Sequence, residues 1–366
     1  MAGRLVVAKI GTSSLTDERG VIHDAAIEKL CAEVADLRAN GERVVVVTSG
    51  AIAAGLPVLG LADHRPTDPA VLQAVSAVGQ AHLVDRYNRA LAAHGLVAGQ
   101  VLLAPLDFVD RRQYLHARQT LRVLLDLGVI PVINENDAIA DDEIRFGDND
   151  RLAALVSHLL TADLLVLLTD QAGLLTADPR RNEQASLIEE IVAFDHTLEA
   201  VVGGAGTARG SGGMASKLTA ARMAAWSGVR AVIAAASRPS VLADALAGAP
   251  GVGTVFVPRS LRLPARKLWI AFAIGASGTV VVDDGARDAL THRNVSLLPA
   301  GVIDVAGDFE ADEAVELAGP DGKVFAKGLS RHSATAVRGL AGRRTADLPA
   351  DTVAEIVHRD DLVLLP

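Results

Sequence analysis

Cysteine is nearly absent: Cys31 stands alone among 366 residues, so no intrachain disulfide can form and nothing points to an oxidising compartment. The default expectation is a cytoplasmic location. Within Lys29-Leu30-Cys31-Ala32-Glu33-Val34 the context is helical, and the lone thiol reads as a small core residue rather than a nucleophile. Aromatic residues make up only 3%, which argues against stacking platforms for single-stranded nucleic acid and for Ala, Val, Leu and Ile packing instead. Positive charge is in deficit too. The net charge of −9 disfavours nucleic acid or an anionic membrane as the main partner. Met1 to Ile10 has a basic residue and an apolar run that is far too short for a membrane span and ends in Lys9, and it reads as a first strand. The ten histidines are scattered, with no H-E-x-x-H and no cysteine partner, so no metal cage is expected. There is no G-x-S-x-G elbow, no P-loop G-x-x-x-x-G-K-[ST] and no protein-kinase glycine loop, which removes those hydrolase and nucleotide-binding classes.

The length exceeds one ordinary core, so two domains are expected. From Leu5 to about Val257 short apolar runs alternate with segments of helical period. Leu5 to Ala8, Val44 to Val47, Val129 to Ile133 and Leu164 to Leu168 are unbroken, as strands buried on both faces require. Between the first two, Ile27, Leu30, Cys31, Val34 and Leu37 recur at helical spacing, and Gly41 stops the helix. This βαβ order predicts a mostly parallel sheet covered by helices in an α/β/α sandwich, with ligands at the carboxyl ends of the strands. The predicted boundaries are a first domain over 1–258, a basic, proline-punctuated linker over 259–274, and a small β-rich domain over 275–355.

Chemistry is therefore sought in the polar segments that follow the strands. Lys9 ends the first buried strand before Gly11-Thr12-Ser13, where it either snorkels to water or faces an anion in the crevice. The glycine-rich stretch from Gly203 through Ser211-Gly212-Gly213-Met214-Ala215-Ser216-Lys217 leads into a helix over Leu218 to Trp226. Glycines let backbone N–H groups approach phosphate oxygens, and the helix start and Lys217 add positive potential. A plain surface loop before a capped helix is the competing reading. Two lysines beside glycine loops would suit phosphoryl transfer, which is mostly positioning and charge neutralisation. Gly147-Asp148-Asn149-Asp150-Arg151 precedes a helix over Leu152 to Leu160 and is denser in polar groups than an N-cap needs. Asn134-Glu135-Asn136-Asp137 is similarly dense, and such donors and carboxylates suit an amino-acid ligand.

Taken together, Lys9 to Ser13, Val47 to Gly55, Ala77-Val78-Gly79-Gln80, Pro131 to Asp137, Gly147 to Asp150, Leu168 to Leu174, Thr176 to Arg180 and Gly212 to Lys217 resemble the amino-acid kinase family. Within it, the asparagine-rich segment and Gly-Asp-Asn-Asp are similar to the members that phosphorylate glutamate. The resemblance implies transfer of the γ-phosphoryl of ATP, with Mg²⁺, to the side-chain carboxylate of L-glutamate, the first step of proline biosynthesis. It further implies that Lys9 and Lys217 stabilise the transferring group while Asp150 holds both. Ser49, Gly50, Asn134, Asp137, Asp148 and Asn149 would hold glutamate. Lys9, Thr169, Asp170, Ser211, Gly212, Gly213, Met214, Ala215, Ser216 and Lys217 would hold ATP. Ser211 and Ser216 stand where threonine is frequent and keep its hydroxyl. Feedback inhibition by proline, a homo-oligomer and a glutamyl phosphate reductase as neighbour are implied in the same way. Family members that act on acetylglutamate, aspartate or a nucleoside monophosphate are the alternatives. A catalytically dead RNA-binding regulator is the reading from a different class, opposed by the joint presence of Lys9, Asp150 and Lys217.

The C-terminal part resembles a PUA domain, through Ser296 to Val302, Gly307-Asp308-Phe309 and Ala326 to Arg331. Asp312-Glu313 stands near the usual turn glycine, and His332 replaces a common tyrosine. In other proteins this module binds RNA. Between residues 275 and 366, however, nine Lys and Arg face fifteen Asp and Glu, so the attraction for phosphate is missing and a role in oligomer contacts or regulation is expected instead.

Overall fold

The computed structural model describes residues 3–17, 21–108, 110–139, 149–176, 185–191, 213–259, 263–272, 274–347 and 353–365. The chain divides into two units, Met1–Arg262 and Leu263–Pro366.

In the first unit the elements run β1 (Leu5–Ile10), α1 (Thr12–Leu15), α2 (Asp24–Ala39), β2 (Arg43–Val47), α3 (Ala51–Val58), α4 (Pro69–Ala92), β3 (Ala98–Leu103) and α5 (Arg111–Asp126). They continue with β4 (Ile130–Glu135), α6 (Asn149–Leu160), β5 (Leu164–Thr169), β6 (Glu190–Ile191), α7 (Met214–Trp226), β7 (Arg230–Ala235), α8 (Val241–Ala247) and β8 (Thr254–Phe256). The eight strands form one sheet in the order β3-β4-β2-β1-β5-β7-β8-β6, with every neighbouring pair parallel except β7 and β8. Every residue of β1, β4 and β5 is buried, which explains the unbroken apolar runs: a strand covered on both faces has no solvent side to leave polar. Strand alternation sorts their side chains. Val6, Ala8, Ile10, Val44, Val46, Val132, Val166 and Val232 share a core with α2, α4 and α8. On the opposite face α6 packs against α5, α7 and β1.

One helix crossing and one register then set the site. Helices α3 and α4 approach until a Cβ on Gly79 would stand 1.8 Å from the Ala51 carbonyl oxygen, and one on Gly55 2.1 Å from that of Val75. Only glycine permits contact this close at both positions. Across the sheet, Ile133 pairs with Val47, Val47 with Lys9, and Lys9 with Leu167, so the carboxyl ends of β4, β2, β1 and β5 stand level. Several expected boundaries shift. Asn134 and Glu135 are the last residues of β4 rather than loop, and α6 starts at Asn149, ahead of the expected Leu152, so Asn149 and Asp150 lie in its first turn.

The second unit contains α9 (Ala265–Phe272), β9 (Gly278–Val282), α10 (Asp284–Arg293), β10 (Val302–Gly307), β11 (Ala314–Ala318), β12 (Val324–Ser330), α11 (Ala334–Leu340) and β13 (Val357–Leu364). Its five strands are ordered β10-β9-β11-β12-β13 around a core of Val280, Val282, Leu290, Val315, Leu317, Val337 and Val357. The stretch expected as a linker over 259–274 carries α9, with Leu268 and Ile270 fully buried and α9 packed on β12 and β13. Pro264 and the basic residues mask that helix in the sequence, but Arg266 pairs with the buried Asp361, as does Arg331 at 3.2 Å. The β-rich unit also runs beyond residue 355, because β13 hydrogen-bonds to β12. Asp312 takes a left-handed φ of +68° and donates its N–H to the Ser330 carbonyl at 2.7 Å. Aspartate tolerates that region better than most side chains.

Candidate active site

Lys9 lies on the face of β1 turned toward α6 and α7. Its ammonium meets Asp150 Oδ1 at 2.6 Å, while Lys217, from the first turn of α7, meets Asp150 Oδ2 at 3.2 Å. The hydroxyl of Ser216 donates to the same Oδ2 at 2.8 Å. Relative exposures of 3% for Lys9, 1% for Asp150 and 4% for Lys217 place the three groups out of water. Burial alone would raise the Asp150 carboxyl; the ammonium of Lys9, then that of Lys217, overcomes it and holds the group below the ordinary carboxylate range. One carboxylate between two ammonium groups leaves a positive excess in a low-dielectric setting, where an anion is bound far more strongly than at a wet surface.

The helices that begin here are built for anions as well. α3 starts on Gly50, whose φ of +101° is left-handed and favours glycine, and α7 starts on Gly213; neither start is capped by a side chain among the described residues. By contrast α4 and α5 begin on Asp68 and Asp110, whose carboxylates accept from backbone N–H groups. The uncapped starts keep their N–H donors for another partner.

A second polar group gathers at β4. Asn134 donates from Nδ2 to Gln80 Oε1 at 2.8 Å, and Asn149 Oδ1 accepts from the Glu135 N–H at 3.0 Å, tying the end of β4 to the start of α6. Ser49 is buried at the end of β2; behind it Thr48 Oγ1 and the fully buried Tyr87 hydroxyl stand 2.8 Å apart. Asp137, in a short 3-10 turn after β4, is buried, and burial pushes its carboxyl up to about 6. Its Oδ1, Asn134 Oδ1 and Gln80 Nε2 are all buried without a hydrogen-bond partner among the described residues. On the other flank of β1, Thr169 is buried at the end of β5 and donates to Asp170 at 3.0 Å.

The residues expected from sequence therefore fall into one row along the strand ends, from Asn134 on β4 through Ser49 and Lys9 to Thr169 on β5, with Gly213, Met214, Ala215, Ser216 and Lys217 at the start of α7. Asp148, Ser211 and Gly212 lie outside the described residues. Ser216, expected against the nucleotide, gives its hydroxyl to Asp150 here. Gln80 was not among the expected site residues; the signal for it is a glutamine placed directly after a glycine inside a helix, where the glycine marks a close crossing.

For a metal, the test is whether the described residues bring enough ligand groups together to hold it. Both Asp150 oxygens are engaged by Lys9, Lys217 and Ser216, and no group of three or more His, Cys, Asp or Glu among the described residues could hold an ion. The site fits Mg²⁺ carried on nucleotide phosphates and water, the usual mode for that ion, and does not fit a protein-built cage.

Comparison with known proteins identifies the family. The amino acid kinase family pattern matches residues 4–235, and the PUA domain pattern residues 278–350. A glutamate 5-kinase of Burkholderia multivorans is 45% identical over 366 residues, covering 99% of this chain and 98% of its own. One from Pelobacter propionicus is 43% identical over 364 residues, covering 98% and 97%. Among solved structures, carbamate kinase from Giardia lamblia bound to AMP-PNP superposes with a TM-score of 0.51 at 19% identity, over 70% of this chain and 99% of that one, a likeness of fold. Among the described residues no helix is long and apolar enough to cross a membrane. The chain belongs to the amino acid kinase family, and within it to the glutamate 5-kinases that carry a C-terminal PUA domain.

Proposed function

We propose that the chain transfers the γ-phosphoryl group of MgATP to the side-chain carboxylate of L-glutamate, giving L-glutamyl 5-phosphate at the entry to proline biosynthesis in the cytoplasm. The observation that carries this reading is the shared contact of Lys9 and Lys217, more than two hundred residues apart, with one buried carboxylate, Asp150. In it, ATP lies on the β5 side, against Thr169, Asp170 and the segment from Ser211 to Lys217, and glutamate lies on the β2 and β4 side. Ser49, Gly50, Asn134, Asp137, Asp148 and Asn149 hold the acceptor, and Lys9 stands between the two halves.

The acceptor carboxylate is already ionised near neutral pH, so no general base is required. As the phosphoryl group moves between the two oxygens, charge spreads over its equatorial oxygens, and the two ammonium groups are fixed there in advance. Asp150 keeps them from repelling one another and sets their positions. Mg²⁺, when present on the nucleotide, supplies further neutralisation of phosphate charge.

The same reading carries proline as an inhibitor at the glutamate site, a homo-oligomer, a glutamyl phosphate reductase that receives the labile acyl phosphate, and a regulatory or contact role for the PUA unit. The test is turnover with L-glutamate and MgATP in the presence of hydroxylamine, which traps the acyl phosphate as a hydroxamate, run beside acetylglutamate and aspartate. Strong hydroxamate formation from glutamate alone supports the reading; preference for either other acceptor would replace it.

A further inference from the structure

Gln80 has no part in the phosphoryl-transfer reading, yet its setting is that of a ligand group. The Gly55 and Gly79 crossing presses α4 onto α3 and brings the next residue, Gln80, against the end of β4. Gln80 is 7% exposed and Asn134 1%. One bond joins the two amides, and Gln80 Nε2 and Asn134 Oδ1 are left buried without partners among the described residues. Turning both amides over exchanges their roles but still leaves one N–H group and one carbonyl unsatisfied. Buried polar atoms left in this condition are costly, and a bound polar ligand removes the cost. Asp137 Oδ1, three residues beyond Asn134, is in the same state.

Location then selects which part of an amino acid arrives. Asn134 directly follows Ile133, which is in register with Val47 and through it with Lys9, so it stands two strands from β1, roughly 10 Å at ~4.8 Å per strand. It also bonds to α4, on the sheet face opposite the lysines. An acceptor whose reacting carboxylate meets Lys9 therefore extends its other end toward Asn134.

We infer that Gln80 is a specificity-determining residue: its amide N–H donates to the α-carboxylate of the acceptor, while Asn134 Oδ1 and Asp137 accept from the α-ammonium. This rests on the proposed glutamate-kinase reading and deepens it by naming what reads the amino-acid end.

Gln80→Glu tests it, because the new carboxylate keeps the bond from Asn134 and replaces a donor by an acceptor. L-glutamate and its α-amide are compared as acceptors in the hydroxamate assay, with the KM for MgATP and the melting temperature measured alongside. The expected result is a rise of roughly 10- to 100-fold in the KM for glutamate, the loss that goes with a hydrogen bond to a charged group. The MgATP KM should move far less, and the α-amide, which can donate to the new carboxylate, should gain relative to glutamate by at least about tenfold. An equal fall for both acceptors, or an unchanged glutamate KM, overturns the inference. Should Gln80→Glu fail to fold, Gln80→Met removes the donor without adding charge, and a glutamate KM that does not rise relative to that of the α-amide overturns it. Wild-type protein in the same assay separates the two levels: no turnover of glutamate ends the functional reading itself, whereas normal turnover with unselective variants ends only this one.

Discussion

Two polar clusters share the carboxyl edge of one sheet and are built on opposite principles. Around Asp150 both carboxylate oxygens have partners at 2.6 to 3.2 Å, and the cluster holds itself together. Around Asn134, one hydrogen bond joins Gln80 to Asn134 while an amide N–H, an amide oxygen and a carboxylate oxygen have none among the described residues. On the proposed reading, the difference reflects what each cluster binds. Charges of like sign must be fixed before a polyphosphate arrives, because rearranging them during the reaction would raise the barrier. Groups that must distinguish one amino acid from another instead stay unsatisfied until the right ligand completes them, so that a wrong ligand leaves them unpaired.

The sharpest way to break this contrast is Asp150→Ala, which strands two buried ammonium groups. A loss of about 3–5 kcal/mol in folding stability is expected, read by urea denaturation. Unchanged stability would mean the lysines are not held by Asp150 at all. Next come Lys9→Ala and Lys217→Ala, each expected to stay folded, since Asp150 retains the other lysine, but to lose about 3–4 kcal/mol of transition-state stabilisation. That is a fall of roughly 100- to 1,000-fold in turnover, and near-normal rates in either variant would remove the assigned role.

On the unsatisfied side the sign of the stability effect should reverse. The folded Asp137 carboxyl sits near 6 against an ordinary value of 3.8, so the fold prefers it protonated. Its contribution is therefore most favourable below about pH 4 and declines as pH rises through 6, when the unfolded chain ionises freely and the buried group does so at a cost. Asp137→Asn should accordingly stabilise the ligand-free protein at pH 8 by up to about 3 kcal/mol, with little gain at pH 4, while the KM for glutamate rises roughly 10- to 100-fold. In the wild type that KM should climb as pH falls below 6. A melting temperature that does not respond to the substitution at pH 8 would argue against a costly buried charge. The smallest effect belongs to Ser216→Ala: one donor to an Asp150 that keeps both lysines is worth about 1–2 kcal/mol, so turnover should fall by roughly 5- to 30-fold, and a change in the KM for ATP alone would mean that Ser216 acts on the nucleotide rather than through Asp150.

Much of the first unit was legible in the chain because strands buried on both faces must be continuously apolar, and Leu5 to Ala8 and Leu164 to Leu168 admit no other reading beside helices of clear period. Lys9 and Lys217 could be singled out as charges placed where an apolar run or a glycine stretch ends, whereas Asp150 stood in a polar turn and its role was implied only by the family resemblance. The second unit was less legible. Its strands β10 and β13 mix exposed with buried residues, and Arg266 and Asp361 look like solvent charges until they are seen paired with α9 laid on β13.

The sequence by itself determined the βαβ order, the glycine stretch that leads into α7, and the residue types at the strand ends. Only tertiary structure decided that β4, β2, β1 and β5 lie side by side in that order, that one carboxylate serves two lysines, and that a helix crossing delivers Gln80 to Asn134. Periodicity records which face of each segment is buried, whereas strand order and close approach depend on contacts between residues far apart in the chain, about which local pattern carries no information.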